Sequence, residues 1–326
     1  MHTRRRLLAQ ILSTAAFAGG TCALAQETKR LLRLVVGFPA GGGTDIIARV
    51  LADRIRVPFA SSVIVENKPG AAARASVDYV RNAEPDGGTL LFTPDFPITV
   101  YPHSFRTLSY DPLRDLVPVA PGAKSMLCYN IGPAVPASVT TLAGFVQWVR
   151  DNPDKASYAT TTAGGTPHFV GMMFATAAGL AMTPVHYRGG APALQDLLGG
   201  HVPAGVNPIS EAMPHAKTGA LRMLAVTGSK RSRFLPDVPT MREQGFDVVV
   251  DSWLGAFAPA RTPAETVRVL GAAINEVARS PDYAESLAKF GNEPALQTPE
   301  EFAATVRADV ARWGPVVTAS GFVAVD

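Results

Sequence analysis

Leu34-Val35-Val36-Gly37-Phe38-Pro39-Ala40-Gly41-Gly42-Gly43-Thr44-Asp45 and Ser157-Tyr158-Ala159-Thr160-Thr161-Thr162-Ala163-Gly164-Gly165-Thr166-Pro167-His168 follow one physical plan. Each reads as a strand, a Gly/Thr-rich turn and a helix start. Apolar residues then fall at Ile46, Ile47, Val50 and Leu51, and at Phe169, Val170, Met173 and Phe174, the spacing of one helix face. Both helices are therefore expected to bury a stripe and leave their N-termini free. Such an end carries unpaired N–H groups and about half a positive charge, and the glycines admit close backbone approach. Two anion sites in one chain suggest two lobes closing on a small anion.

Around these stretches, strand-like runs (Leu32–Val36, Val63–Glu66, Thr89–Thr93, Leu221–Val226) alternate with helical patterns, which makes the class α/β. With 326 residues the chain exceeds what one core usually holds, so two domains are the default. Thr262-Pro263-Ala264-Glu265 and Thr298-Pro299-Glu300-Glu301 each read as a capping box opening a helix. No low-complexity linker interrupts the sequence, so crossing strands are expected to join the lobes.

The first residues read as an export leader: Arg4-Arg5-Arg6, an apolar stretch from Leu7 to Ala18, and a small-residue cut at Ala23-Leu24-Ala25. Residues 1–25 are the expected signal peptide, of general secretory or twin-arginine type. The whole chain has a formal charge of +3, but the leader holds three arginines and no acid. The mature chain would carry 27 basic and 27 acidic residues and no net charge. Nothing supplies the basic face a nucleic-acid binder needs. Cys128, the one mature cysteine, lies in the apolar run Met126-Leu127-Cys128-Tyr129 and reads as a buried strand residue.

Gly41-Gly42-Gly43 with Glu66 about twenty residues on imitates a dinucleotide-binding start, but Ile46 stands where the third glycine or alanine belongs. No Lys-Ser or Lys-Thr follows the glycines, so the phosphate loop is absent too. His168, His186, His201 and His215 lack metal-ligand spacing, and no Gly-x-Ser-x-Gly elbow occurs. Neither a cofactor nor a metal is expected. His168, beside the second loop, either caps it or touches a ligand; Asp45 reads as a helix-start residue.

A set of motifs then appears in order: Phe38 to Asp45, Val65-Glu66-Asn67-Lys68-Pro69-Gly70, Pro85-Asp86-Gly87, Tyr110-Asp111-Pro112, His186-Tyr187-Arg188-Gly189-Gly190-Ala191-Pro192-Ala193-Leu194, Leu224-Ala225-Val226-Thr227 and Leu235-Pro236-Asp237-Val238-Pro239-Thr240. Together they resemble the Bug family, periplasmic solute receptors of tripartite tricarboxylate transporters. The resemblance implies two Rossmann-like lobes of the type II periplasmic-binding-protein kind: 26–123 plus 229–326 in one and 124–228 in the other, hinged near Ala123 and Gly228. It also implies a receptor that does no chemistry, acts as a monomer, closes on a small carboxylate and hands it to a membrane permease. A sensing receptor and a periplasmic enzyme using His168 are the alternatives.

Carried over residue by residue, the first carboxylate loop is Phe38, Ala40, Gly41, Gly42, Gly43 and Thr44. The second is Thr161, Thr162, Gly164, Gly165, Thr166 and His168, and the third segment is Val206-Asn207-Pro208. Phe38 and Trp253 are candidate apolar walls. The chain departs from the family where many relatives have Asp in place of Asn207, which argues against an amino-acid ligand. It departs again where Ala72-Ala73 replaces Gly-Gly, with Arg74 following as a candidate counter-ion.

Overall fold

The computed structural model describes residues 30–324; the expected signal peptide lies outside them. The glycine turns do end strands and begin helices. Strand β1 (Arg30–Val36) leads into α1 (Gly43–Ala52), then β2 (Ala60–Asn67), α2 (Arg74–Arg81) and β3 (Thr89–Pro94). After two one-turn helices, Phe96–Thr99 and Tyr101–Ser104, come β4 (Leu116–Ser125) and β5 (Leu127–Ile131). The chain continues through α3 (Leu142–Asp151), β6 (Ser157–Thr160), α4 (Thr166–Ala177), β7 (Thr183–His186), α5 (Gly190–Leu198), β8 (Ala204–Pro208), α6 (Ile209–Lys217) and β9 (Arg222–Val226). It closes with β10 (Ser252–Pro259), α7 (Ala264–Arg279), α8 (Pro281–Ala288), β11 (Glu293–Pro294) and α9 (Pro299–Ala319).

Two sheets result, in the orders β11-β4-β10-β3-β1-β2 and β7-β6-β8-β5-β9. In the first, β1 pairs in parallel with both β2 and β3, Leu34 lying between Val65 and Leu90; β10 runs antiparallel to β3 and β4. Leu32, Leu34 and Val36 face a core with Ile47 and Leu51 of α1 and Val267, Leu270 and Ile274 of α7. Val35 faces the other, with Val77 and Val80 of α2 and Phe302 and Val306 of α9. Helices cover both sides, so β1 is apolar throughout rather than alternating. The second sheet is layered likewise, with Phe169, Val170 and Phe174 of α4 in one core and Ala193, Leu194 and Leu197 of α5 in another.

The lobes join as tersely as a chain allows. β4 ends at Ser125 in one sheet and β5 begins at Leu127 in the other, so Met126 alone makes the crossing. The return differs from the expected one at Gly228. Residues 229–250, expected in the first lobe, pack on the second: Met241, Val248 and Val250 belong to its core, and Phe246 meets Phe174 at 5.0 Å. Thr227 holds this excursion, accepting the Val250 N–H at its carbonyl (2.8 Å) and donating its hydroxyl to the Val250 carbonyl (2.8 Å). The end of α9 also crosses over, with Trp313 and Val317 in the second lobe's core. The physical reason is local: an apolar tail of two or three residues is buried by whichever core lies nearest, whatever sheet precedes it.

Of the two expected capping boxes, the one at Thr298 forms: its hydroxyl accepts the Glu301 N–H (3.2 Å) and the Glu301 carboxylate accepts the Thr298 N–H (2.8 Å). At Thr262 the helix starts a residue later, with Pro263 as cap, and the buried Thr262 hydroxyl finds no hydrogen-bond partner among the described residues.

Candidate functional site

Four helix N-termini meet at the seam between the sheets. A partly open cavity of about 130 Å³ is lined by Gly43 and Thr44 of α1, Thr166 and Pro167 of α4, Gly190 and Ala191 of α5, and Ser210 and Glu211 of α6. First-turn N–H groups have no partner within their helix, so each end turns donors toward this space. Phe38 and Phe96, in edge-to-face contact at 5.9 Å, form an apolar wall with Leu127 and Leu254.

Of the residues assigned from sequence, Phe38, Ala40, Gly42, Gly43, Thr44, Thr161 and Thr166 line the cavity. The others have different places. Gly41 takes φ +83°, and its N–H donates to Asp45 Oδ2 (2.9 Å), so it shapes the loop without offering a donor. Asp45 also accepts from Arg49 (3.0 and 2.9 Å) and Asn67 (2.9 Å). Burial raises its pKa, but the bonds from Arg49, Gly41 and Asn67 together bring it below the ordinary value.

Thr162 sits in a neighbouring groove, within 3.4 Å of the Tyr101 hydroxyl. Gly164 donates its N–H to His168 Nδ1 (3.0 Å), and its carbonyl accepts from Ser104 (2.9 Å); Gly165 packs between Thr162 and Phe96. His168 is thus a buried fastener of its own loop and not part of the cavity wall. Burial, and then the nearby His186, lower its pKa to about 4, which keeps the ring neutral and Nδ1 an acceptor. Trp253 faces away from the cavity, donating to Asp309 Oδ2 (2.9 Å) and meeting Phe302 edge-on. Arg74 lies over the Phe105 ring (4.1 Å) in the neighbouring groove. Cys128 is fully buried on β5, as expected.

Asn207 is completely buried beneath the cavity, its Oδ1 accepting from Asn130 (3.4 Å). The ionisable group at the cavity lies four residues on. Glu211, on α6 of the second lobe, accepts the Gly43 N–H of the first lobe at Oε1 (3.2 Å) and lies directly against Gly190. Burial holds this carboxyl above the ordinary range, and the Gly43 N–H and the Asn207 amide dipole offset part of that rise. Oε2 is shut from solvent and has no hydrogen-bond partner among the described residues.

A second acid, Asp95, lines the opposite wall, accepting from Ser252 (3.0 Å) at Oδ1 and from Thr166 (3.1 Å) at Oδ2. Burial first, and repulsion from Asp309 second, push it up to about 7. Neither acid was found from the sequence. Arg188, Gly190 and Ala191 were quoted there only within a motif, although the strand–glycine–helix logic of the first two loops applies equally to His186 through Ala191. Nothing comparable signals Asp95 or Glu211, because a carboxyl in a helix's first turn ordinarily means a favourable dipole contact.

Known proteins resemble this one over nearly its whole length. BugT of Bordetella pertussis is 31% identical over 97% of this chain and 98% of its own. An R. palustris protein solved with adipate superposes with a TM-score of 0.86 at 30% identity, covering 91% of this chain and 99% of that one. MatC of Rhodopseudomonas palustris, solved with bound malate, gives 0.81 at 28% identity over 88% and 99%. Residues 47–322 match the sequence profile of the tripartite tricarboxylate transporter family receptor, and the chain belongs to that family of periplasmic solute-binding receptors.

Proposed function

We propose that this protein is exported by its N-terminal leader, binds a small organic carboxylate between its lobes, and delivers it as a monomer to the membrane permease of a tripartite transporter. One observation carries the reading: N-termini of helices from both lobes converge on one cavity at their seam. Backbone N–H groups fixed in this way bind an anion without a buried lysine or arginine. Hydrogen bonds to a charged group are worth roughly 1.5–3 kcal/mol each, and micromolar binding needs only about 8 kcal/mol.

The same geometry supports a role without chemistry. A nucleophile beside a base is what acyl or phosphoryl chemistry requires, and His168 stands behind its loop holding Gly164. The test is a melting screen of the protein lacking residues 1–25 against monocarboxylates, dicarboxylates, amino acids and aromatic acids. A ligand at 100 times its Kd stabilises the fold by about 2.7 kcal/mol. A clear upward shift with at least one carboxylate, and with no matched neutral amide, is the expected result. Silence across the panel, or turnover of the ligand, overturns the proposal.

A further inference from the structure

Two acids fasten the seam, one from each lobe. Asp95, just past β3 of the first lobe, accepts the hydroxyl of Thr166, the first residue of α4 in the second (3.1 Å). Glu211, on α6 of the second lobe, accepts the N–H of Gly43, the first residue of α1 in the first (3.2 Å). Both acids line the cavity, and the exposed Arg188 is the one base among its described lining residues. A solute carboxylate is therefore the third negative group around a space of about 130 Å³. Like charges this close raise one another's pKa, and uptake of one proton relieves them.

Asp95 is the better placed of the two to take that proton. Its partners, Ser252 (3.0 Å) and Thr166, are hydroxyls, which accept as well as donate, so a protonated carboxyl keeps both hydrogen bonds. The Gly43 N–H can only donate, which favours a charged Glu211. The charged groups around Asp95 are Asp309 and Arg312 on α9, Glu211 across the cavity and Arg188 ahead of α5. Asp309 is itself held by Arg312 (3.1 Å) and the Trp253 indole (2.9 Å), and His168 of α4 is a neutral ring turned to Gly164. Burial and then Asp309 raise Asp95, while the two hydroxyls and Arg312 lower it, and the balance stands at about 7 before any ligand charge is added.

We infer that this receptor takes up its carboxylate together with a proton, which Asp95 holds in the closed complex. This rests on the receptor reading above and adds the regulation of that same site. Opening the seam returns Asp95 toward the ordinary carboxylate value, whereas closing on an anion takes it above 7. Between those limits the complex holds one more proton than the open receptor, so binding weakens as pH rises; below the lower limit and above the upper one it is independent of pH.

The test is calorimetry on the protein lacking residues 1–25 with acetate, butyrate, benzoate and adipate, all anions above pH 6.5. Affinity for those that bind is expected to fall about tenfold from pH 6.5 to pH 8.5, with about half a proton to one proton taken up per ligand at pH 7.5, read from buffers of different ionisation heat. Asp95→Asn keeps an acceptor for Ser252 and a donor for Thr166, and is expected to cut the fall to within about twofold and to abolish the proton uptake. Glu211→Gln is expected to keep most of both. A fastening role alone would change affinity equally at every pH. Absence of proton uptake by the wild type overturns the inference, as does a slope that persists in folded Asp95→Asn or vanishes in folded Glu211→Gln. Melting curves show whether each variant folds, and if Asp95→Asn does not, the wild-type proton count decides. Each of these results leaves the carboxylate receptor standing. Failure of all four probes to bind at pH 6.5 also overturns the inference, and only silence across the wider carboxylate panel removes the receptor reading with it.

Discussion

At residue 72 the backbone is left-handed without a glycine. Ala71, Ala72 and Ala73 take φ of 45°, 55° and 72°, in the segment where the family resemblance implies Gly-Gly. An L-residue there is disfavoured by roughly 1–2 kcal/mol, part of which glycine gives back through its freer unfolded chain. The conformation is imposed from outside, since the Tyr101 hydroxyl donates to the Ala72 carbonyl (2.9 Å) and Ala73 packs on Gly37. Ala72→Gly is therefore expected to stabilise the protein by about 0.5–1 kcal/mol, a rise of about 2 °C in Tm by calorimetry. A lower Tm would show that Ala72 contributes more by packing than it loses to strain. The substitution was legible in the sequence as a departure from the family, but its consequence was not, because handedness depends on which neighbours hold the loop.

Between elements, the seam is set by what α1 and α5 leave open at their first residues. A Cβ on Gly190 would overlap the Glu211 carboxylate, and one on Gly43 would come within 2.8 Å of Ser210 Oγ across the lobes. Gly190→Ala is expected to displace Glu211 from the seam and weaken ligand binding by more than about tenfold, with helix content unchanged by circular dichroism. Undiminished affinity would mean that this contact does not shape the site. The sequence disclosed α1 and α4 through glycine turns followed by a 3.6-residue apolar stripe, a local signal that depends only on the chain near it. It disclosed the capping box at Thr298 for the same reason. The role of α5's first turn, and of Glu211 between it and Gly43, is a contact across 168 positions, and no local pattern carries that. Trp253 shows the converse: expected as an apolar wall of the ligand site, it packs instead with Phe302 and Asp309, which lie far along the chain.

For the whole molecule, two thin crossings and the docked end of α9, set against one broad seam, decide how it moves. Met126 and the stretch from Thr227 to Ser252 connect the lobes, while Gly43 on Glu211 and Thr166 on Asp95 hold the cavity side closed by single hydrogen bonds. On another side, Phe96, Val100, Tyr101 and Phe105 of the first lobe are buried in the core of the second, an apolar contact too large to part easily. Opening should then pivot about that contact and draw the α1 N-terminus away from α5, a hinge motion that admits the ligand. A compact chain of about 300 residues has a radius of gyration near 19 Å. Small-angle scattering of the ligand-saturated protein is expected to approach that value, and the free protein to exceed it. Gly43→Ala, which crowds Ser210 across the seam, should remain on the larger side even when ligand is present. Equal radii with and without a ligand shown to bind would sink the hinge, and would require the solute to enter through a lobe arrangement that never opens.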